Sequence, residues 1–418
     1  MNLFDDLQWR GLIQDTTDAA ELERLLNGDP MTFYVGFDPT AASLHVGHLV
    51  QVLTARRLQL AGHRPLLLVG GATGMIGDPR ESAERALHST EVVTGWVDNI
   101  RNQVAPFVTY DGPTAARLVN NLDWTGSVNV LDFLRDVGKH FPINRMLARE
   151  VVRARLETGI SFTEFSYQLL QANDYFQLHQ RYGCTLQFGG SDQWGNITAG
   201  VDFIRRKGAG PAQAFTTPLV TRADGTKFGK SEGGGVWLDP TLTSPYEFYQ
   251  FWFNAADADV ARYLRYFSFR SHQELAELDE ATAERPGARE AQRALAGDLT
   301  TLVHGEHETA QVIAASQALF GRGSLADLTP ATLRAALTEA GLVTVKGERP
   351  TVTALLKESG VVASMNEARR AIVDGGAYIN NVRVTDPEQI VDAADLLHGK
   401  WLVVRRGRKT VAGVEVVS

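Results

Sequence analysis

The chain has 418 residues, of which 44% are hydrophobic and 22% are charged, and its formal net charge at neutral pH is −8. This length allows two or three domains, and the acidic balance excludes a chain whose whole surface binds polyanions. Its single cysteine, Cys184, excludes an internal disulfide and a metal site of several cysteines. The N-terminus lacks the pattern of a signal peptide, so we expect a cytosolic protein without a membrane span.

The first part of the chain alternates between helical and strand patterns. Apolar spacing predicts a helix over residues 10–28, and β-branched and aromatic residues predict a buried strand over 31–37. Helical spacing follows over 49–60, and a second strand over 65–69. This order begins a Rossmann-like, doubly wound parallel sheet, whose ligands bind at the carboxyl ends of the strands.

Helical patterns dominate the middle of the chain. Residues 128–185 are mostly helical, and residues 131–155 carry six Lys or Arg against three Asp or Glu. A short strand is predicted over 185–188, and helices again over 245–320. From residue 351 onward we expect two short helices, a hairpin that turns on two asparagines, and a strand that ends in four cations. We expect a small α+β RNA-binding module here.

Two histidines, His45 and His48, lie at the entry to the helix predicted over 49–60. Imidazoles with this spacing face one side of a helix N-terminus, where backbone N–H groups and the helix dipole favour anions. Gly47 between them lets a nucleotide approach the backbone. Two unrelated surface histidines would explain this spacing taken alone, and a zinc site would need further ligands.

A glycine-rich loop over residues 222–235 carries two lysines, Lys227 and Lys230, followed by Ser231. Ammonium groups on such a loop would stabilise the charge that grows on a leaving pyrophosphate. A solvated basic loop is the alternative for this segment alone. Together with the histidine pair, the loop predicts a site for a nucleoside triphosphate.

The sequences HVGH at 45–48 and KFGKS at 227–231 resemble the two signatures of the class I aminoacyl-tRNA synthetases. The segments YVGFDPT at 34–40, FSYQLLQAND at 165–174 and GGSDQWGN at 189–196 resemble the bacterial tyrosyl-tRNA synthetase family, and the match runs nearly end to end. The resemblance implies a ligase that adenylates tyrosine with ATP and transfers the tyrosyl group to the 3′ end of tRNA(Tyr).

The resemblance also implies roles for individual residues. For tyrosine, it places Tyr34 and Asp174 on the phenol, and Asp78, Tyr167 and Gln171 on the α-ammonium, with Gln187 nearby. A carboxylate suits an ammonium, and a paired donor and acceptor suit a phenol. Without the resemblance, Tyr167 and Gln171 would be read as a polar packing pair, four residues apart on one helix face.

For ATP, the resemblance implies contacts from Asp38, Thr40, His45, Gly47, His48, Asp192, Gln193, Lys227, Lys230 and Ser231. The two histidines, the two lysines, Thr40 and Ser231 would act in catalysis. The substrate carboxylate attacks the α-phosphorus, so catalysis consists of positioning and electrostatic stabilisation. Magnesium would accompany ATP without a dedicated protein site. Many relatives carry a lysine after Asp78; here Arg80 or Arg85 would replace it.

The domain organisation follows from the same resemblance. It implies a catalytic domain over 1–240 with a helical dimerisation insertion at about 125–160, a helical anticodon-facing domain over 241–325, a linker over 326–350, and a ribosomal-protein-like RNA-binding module over 351–418. It implies a homodimer. The tRNA contacts would be Arg145, Arg149, Arg369, Arg370, Arg405, Arg406 and Arg408, mainly to phosphates.

Three alternatives remain open at this point. A tryptophanyl-tRNA synthetase would share the fold, although Tyr34 and Asp174 suit a phenol better than an indole. A nucleotidyltransferase would share the histidine signature without needing an RNA module. A non-catalytic RNA-binding protein would need neither the phosphate motifs nor the tyrosine pocket.

Overall fold

The computed structural model describes residues 1–79, 88–223, 228–231, 234–346, 350–407 and 410–417. Our predictions for Arg80, Arg85, Lys227 and Arg408 lie outside these residues. The helices are α1 (Leu3–Arg10), α2 (Ala19–Leu26), α3 (Leu49–Leu60), α4 (Thr73–Ile76), α5 (Thr90–Val104), α6 (Leu122–Thr125), α7 (Val130–Asp136), α8 (Ile143–Leu147), α9 (Glu150–Arg155), α10 (Phe162–Tyr182), α11 (Trp194–Arg206), α12 (Pro245–Phe253), α13 (Asp257–Phe267), α14 (His272–Glu284), α15 (Glu290–His304), α16 (Glu306–Ala318), α17 (Pro330–Glu339), α18 (Val352–Glu358) and α19 (Met365–Val373).

The strands form separate sheets in the two halves of the chain. They are β1 (Thr32–Phe37), β2 (Arg64–Val69), β3 (Arg117–Asn120), β4 (Cys184–Gly190), β5 (Gln213–Thr217), β6 (Lys230–Ser231), β7 (Gly234–Gly235), β8 (Val343–Lys346), β9 (Ala377–Ile379), β10 (Val382–Arg383), β11 (Trp401–Arg406) and β12 (Thr410–Val417). The chain divides into two compact units, residues 1–239 with 257–279 and residues 240–256 with 280–418. Within the described ranges, no helix is long and apolar enough to span a membrane.

A parallel sheet with strand order β3-β2-β1-β4-β5 forms the centre of the first unit. This is the order of a doubly wound fold, in which the chain moves outward from β1 first on one side and then on the other. The switch point lies between β1 and β4, where Tyr34 is in register with Gln187. The predicted α/β class with a Rossmann-like sheet is confirmed.

The helix predicted over residues 10–28 is wrong as a single element. Helix α1 ends at Arg10 because Gly11 adopts a left-handed conformation with φ of 75°. Helix α2 begins after Asp18, whose side chain accepts a hydrogen bond from the backbone of Glu21. Between them the chain runs beside β5, and the N–H of Gln14 donates to the Thr216 carbonyl over 2.8 Å.

A mixed sheet with order β10-β9-β11-β12-β8 lies in the second unit. The hairpin between β9 and β10 turns on Asn380 and Asn381, which have φ of 46° and 68°. Asparagine tolerates this left-handed conformation better than most residues, and the predicted hairpin is confirmed. Helices α18 and α19 contribute apolar residues to the same core as the sheet.

Two features of the structure differ from the predicted domain boundaries. The stretch 326–350, expected to be a linker, contains α17 and β8, and β8 pairs in parallel with β12. It therefore forms part of the folded second unit. Residues 257–279, expected in the helical domain, belong to the first unit, because Arg10 of α1 donates to backbone carbonyls at Ser268 and Arg270.

Candidate active site

Polar residues gather where the parallel strands end. Asp38 follows β1, Asn121 follows β3, and Asp192 follows β4. Gly70, directly after β2, brings its backbone against the first of these carboxylates, since a Cβ there would stand 2.1 Å from Asp38 Oδ1. The backbone of Gly70 therefore lies directly against a carboxylate at the carboxyl edge of the sheet, where ligands of doubly wound folds bind.

Asp38 is held at this edge by two hydroxyl groups. Thr73 Oγ1 and the Tyr167 hydroxyl each donate to its carboxylate over 2.6 Å. Burial raises the pKa of Tyr167 well above its usual value, and the nearby Asp38 charge acts in the same direction. Tyr167 therefore stays protonated and remains a donor. Thr40, two residues beyond Asp38, is exposed.

Asp174 is a buried carboxyl on α10 with two donors. Asn121 Nδ2 donates to it over 2.9 Å, and Trp124 Nε1 over 2.8 Å. Burial raises its pKa to about 7, although both hydrogen bonds favour the ionised form. The same Asn121 amide donates to Thr73 Oγ1 over 2.9 Å. A continuous chain of hydrogen bonds thus runs from Asp174 through Asn121 and Thr73 to Asp38.

Sequence reasoning missed Asn121 and Trp124. Asn121 carried one usable signal, because it follows a strand of the parallel sheet and so lies at its carboxyl edge. Trp124 carried none, since the partner of an indole N–H depends on the packing of distant helices. Asn196 was missed as well, although it belongs to the segment 189–196 that carried the resemblance.

Three of the residues predicted to bind tyrosine have buried polar atoms without a partner. The Tyr34 hydroxyl, Gln171 Oε1 and Gln187 Oε1 make no hydrogen bond to any of the described residues. Tyr34 is 2% exposed, and besides burial the charge of Asp174 raises its pKa. An unsatisfied buried polar group costs about 1–3 kcal/mol, so each of these three atoms is a candidate contact for a polar ligand.

Asp78 lies in the segment that follows α4. Gln193 Nε2 and Asn196 Nδ2 donate to its two oxygens over 2.9 and 3.0 Å. Burial raises the pKa of Asp78, while both amides and the positive charge of Arg149 oppose the rise. Gln193 also donates to the exposed Asp192 over 3.1 Å. A single amide therefore links Asp78, predicted for the α-ammonium, to Asp192, predicted to contact ATP.

The histidine signature forms a tight turn at the start of α3. The backbone N–H of His45 donates to His48 Nδ1 over 3.1 Å, and that of Gly47 donates to His45 Nδ1 over 3.0 Å. Each Nδ1 is an acceptor, so each neutral imidazole carries its proton on Nε2. Burial and the neighbouring His45 lower the pKa of His48 to about 3, and His48 is therefore neutral at physiological pH.

The two signatures meet through a short antiparallel pairing. The N–H of Val46 donates to the Val236 carbonyl, and the N–H of Leu238 donates to the Leu44 carbonyl, each over 2.9 Å. Val236 in turn donates to the Gly229 carbonyl over 3.0 Å. The backbone that carries Lys230 and Ser231 forms β6, paired with β7. Motifs about 180 residues apart in sequence thus lie side by side.

Two arginines predicted to bind tRNA lie on the insertion. Arg145 is exposed and pairs with Asp202 over 3.4 Å. Arg149 is partly buried and packs against Gly195, where a Cβ would stand 2.9 Å from Arg149 Nε. Both line a cavity of about 460 Å³ beside α11. The positive charge of Arg149 also opposes the rise in the pKa of Asp78 that burial causes. Arg149 therefore acts on a residue of the candidate tyrosine site in addition to its predicted role on the tRNA.

The C-terminal arginines differ from one another in their accessibility. Arg405, expected to bind phosphates, is 7% exposed, donates to the Gly407 carbonyl and lies 4.3 Å from the centre of the Tyr378 ring. Because it is buried, this side chain offers little surface to a phosphate, which corrects its expected place among the tRNA contacts. Arg369 and Arg370 are exposed, and Arg406 pairs with Glu367.

Comparison with known proteins agrees with this geometry. Residues 26–321 match the family tRNA synthetases class I (W and Y), and residues 333–412 match the tyrosine–tRNA ligase SYY-like C-terminal domain. The tyrosine–tRNA ligase of Streptomyces griseus is 60% identical over 99% of both chains, and that of Streptomyces coelicolor is 59% identical over 100% of this chain and 99% of that protein.

A solved structure shows the same fold. A C-terminally truncated mitochondrial tyrosyl-tRNA synthetase from Aspergillus nidulans superposes with a TM-score of 0.68 at 33% identity, over 74% of this chain and 92% of that one. The fold, the two family matches and the full-length identities agree with one another. The chain therefore belongs to the tyrosine–tRNA ligases of class I.

Proposed function

We propose that this chain joins L-tyrosine to the adenylate of ATP at the carboxyl edge of its parallel sheet and then transfers the tyrosyl group to the 3′ end of tRNA(Tyr). The observation that carries the residue assignment is that buried polar atoms of Tyr34, Gln171 and Gln187 have no hydrogen-bond partner in the part of the chain that the structure describes. A tyrosine substrate brings a phenol and an ammonium, which supply the missing partners.

Tyr34 and Asp174 would recognise the phenol. The Tyr34 hydroxyl stays protonated because burial raises its pKa, so it donates to the phenol oxygen. The ionised Asp174 accepts from the phenol O–H, and a ring without this hydroxyl would leave both groups unpaired. Asp78, Tyr167 and Gln171 would hold the α-ammonium, with Gln187 close to them.

The activation step needs no protein nucleophile. A carboxylate oxygen of tyrosine bonds to the α-phosphorus, and the bond from that phosphorus to the pyrophosphate oxygen breaks. His45, His48 and Thr40 would donate to phosphate oxygens, and the neutral imidazoles do so through Nε2–H. Lys227, Lys230 and Ser231 would hold the leaving pyrophosphate.

The remaining nucleotide contacts follow from the sheet edge. Asp38 and Gly47 would line the ATP site, Gln193 would lie beside it, and Asp192 would accept from the ribose hydroxyls. ATP would enter with Mg²⁺, whose ligands are phosphate oxygens and water. The tRNA would contact the exposed Arg145, Arg369, Arg370 and Arg406, together with Arg149 and Arg408. Of the helices over 241–325, those that belong to the second unit, over 240–256 and 280–325, would face the anticodon.

We further propose that the chain is a homodimer through the insertion. Large apolar side chains in this segment are 37–74% exposed, namely Val128, Val130, Leu131, Leu134, Ile143, Leu147, Leu156 and Phe162. Exposed apolar residues at this density mark a protein contact, and a second copy of this chain provides the same surface.

Pyrophosphate exchange tests the proposed activity. Exchange into ATP should depend on tyrosine, and the purified chain should charge total tRNA with tyrosine. Replacing His48 or Lys230 by Ala should abolish exchange while the protein stays folded in thermal unfolding. Exchange that depends on tryptophan instead, or exchange unaffected by these substitutions, would contradict the proposal.

A further inference from the structure

The second residue of the lysine motif, Phe228, is anchored in a pocket of aromatic rings. Phe228 is only 7% exposed. Its ring centroid lies 5.2 Å from that of Tyr263 and 6.1 Å from that of Phe267. The planes of the Phe228 and Phe267 rings are inclined by 16°. Tyr263 and Phe267 are four residues apart on α13 and so present one face to it. The motif is attached to this helix through one side chain.

Helix α13 is in turn fixed to the helix that starts at the histidine signature. Arg57 of α3 donates through Nη2 to the carbonyl of Ser268, just beyond α13. Arg10 donates to the same carbonyl over 3.2 Å and to the Arg270 carbonyl over 3.0 Å. Both guanidinium groups are buried. Because α3 follows His48 directly, these hydrogen bonds connect the pocket for Phe228 to the helix that begins at the histidine turn.

Gly229 completes the attachment on the other side. Its φ of 78° is a conformation that favours glycine, and a Cβ there would stand 3.1 Å from Val46 Cγ2. The Gly229 carbonyl accepts from the N–H of Val236, which also pairs with Val46. Phe228 and Gly229 are thus held between α13 and the histidine turn, directly before the backbone of Lys230.

We propose that Phe228 is a positioning residue for tyrosine activation, which sets the backbone of Lys230 in register with the turn that carries His45 and His48. Its ring makes no substrate contact in this scheme and acts through the segment that follows it. The inference rests on the proposed roles of the two signatures in activation. Phenylalanine at this position supplies a flat ring that stacks on Phe267.

Tyrosine-dependent pyrophosphate exchange with Phe228→Ala and Phe228→Leu tests this role. Phe228→Ala should lower kcat about tenfold to a hundredfold, because small misplacements of catalytic groups cost rates of that order. The KM for tyrosine should change less than about twofold, because none of the groups proposed to bind tyrosine lies on this segment. Phe228→Leu fills part of the pocket and should give an intermediate kcat.

Phe203→Ala is the matched control. This ring is 2% exposed and packs on Phe141 and Phe176 at 5.4 and 5.3 Å, and none of these three residues belongs to either signature. It should lose comparable stability in thermal unfolding while keeping the wild-type kcat. An unchanged kcat in both Phe228 variants, a tyrosine KM that rises in step with the loss of kcat, or an equal loss in Phe203→Ala would overturn the proposal. A wild-type chain without tyrosine-dependent exchange would instead refute the proposed function.

Discussion

Removing the hydroxyl of Tyr34 should change stability and substrate affinity in opposite directions. The hydroxyl is buried in a side chain that is 2% exposed, and it has no hydrogen-bond partner among the described residues. Tyr34→Phe removes an unsatisfied group that costs about 1–3 kcal/mol, so the free energy of unfolding of the ligand-free protein should rise by about 1 kcal/mol or more. Denaturant unfolding with tyrosine absent measures this.

The same substitution removes a donor to the substrate phenol. A net hydrogen bond of about 0.5–1.5 kcal/mol corresponds to an affinity for tyrosine that is about 2- to 13-fold weaker, with a smaller preference for tyrosine over phenylalanine. The KM for each amino acid in pyrophosphate exchange measures both effects. A destabilised variant, or one with an unchanged KM for tyrosine, would refute the reasoning.

Tyr175→Phe is the matched control for this experiment. Its ring lies 5.3 Å from that of Tyr34, and its hydroxyl donates to the Gln213 carbonyl over 2.8 Å. Removing a satisfied buried hydroxyl should lower the free energy of unfolding by about 1 kcal/mol. The KM for tyrosine should stay within about twofold of wild type.

Three further outcomes follow from the geometry. The KM for tyrosine should rise as pH falls below about 7, because protonated Asp174 is a weaker acceptor for the phenol O–H than the carboxylate. Asp174→Asn should remove this dependence, and a parallel rise in both proteins would contradict the reasoning. Gly70→Ala should reduce exchange by more than about tenfold, because its Cβ would stand 2.1 Å from Asp38, whereas Gly95→Ala, with open space around it, should not. Phe162→Asp should give a monomer in sedimentation equilibrium, and a persistent dimer would exclude the proposed interface.

The fold was largely predictable because its signals are local. The strands at 31–37 and 65–69 are short apolar runs, and the turns after them contain glycine and proline, which leaves few alternatives to a doubly wound sheet. The N-terminal helix failed because apolar spacing continued across Gly11, where the backbone turns. The pairing of β8 with β12 could not be predicted, since the partner of a short strand is decided by long-range packing.

The candidate site was predictable where its residues belong to sequence motifs. It was not predictable where tertiary packing brings together residues that are distant in sequence. Tyr34 lies on a strand that the sequence locates, Asp38 follows that strand directly, and Asp78 lies in the segment after the next strand. The partners of Asp174 come from a segment some 50 residues away, and no periodicity points to Trp124. The burial of Arg405 was also invisible, because a strand pattern does not tell which cationic side chain turns onto a neighbouring ring.

The hydrogen-bond chain from Asp174 through Asn121 and Thr73 to Asp38 has a consequence for redesign of the pocket. Changing Asp174 to favour another amino acid would leave the Asn121 amide and the Trp124 indole without their acceptor. The loss would extend through Thr73 to the carboxylate next to the nucleotide site. A variant with altered substrate choice therefore has to provide another acceptor for these donors at the same time. A single substitution at this position that changes specificity should also lower the rate of activation.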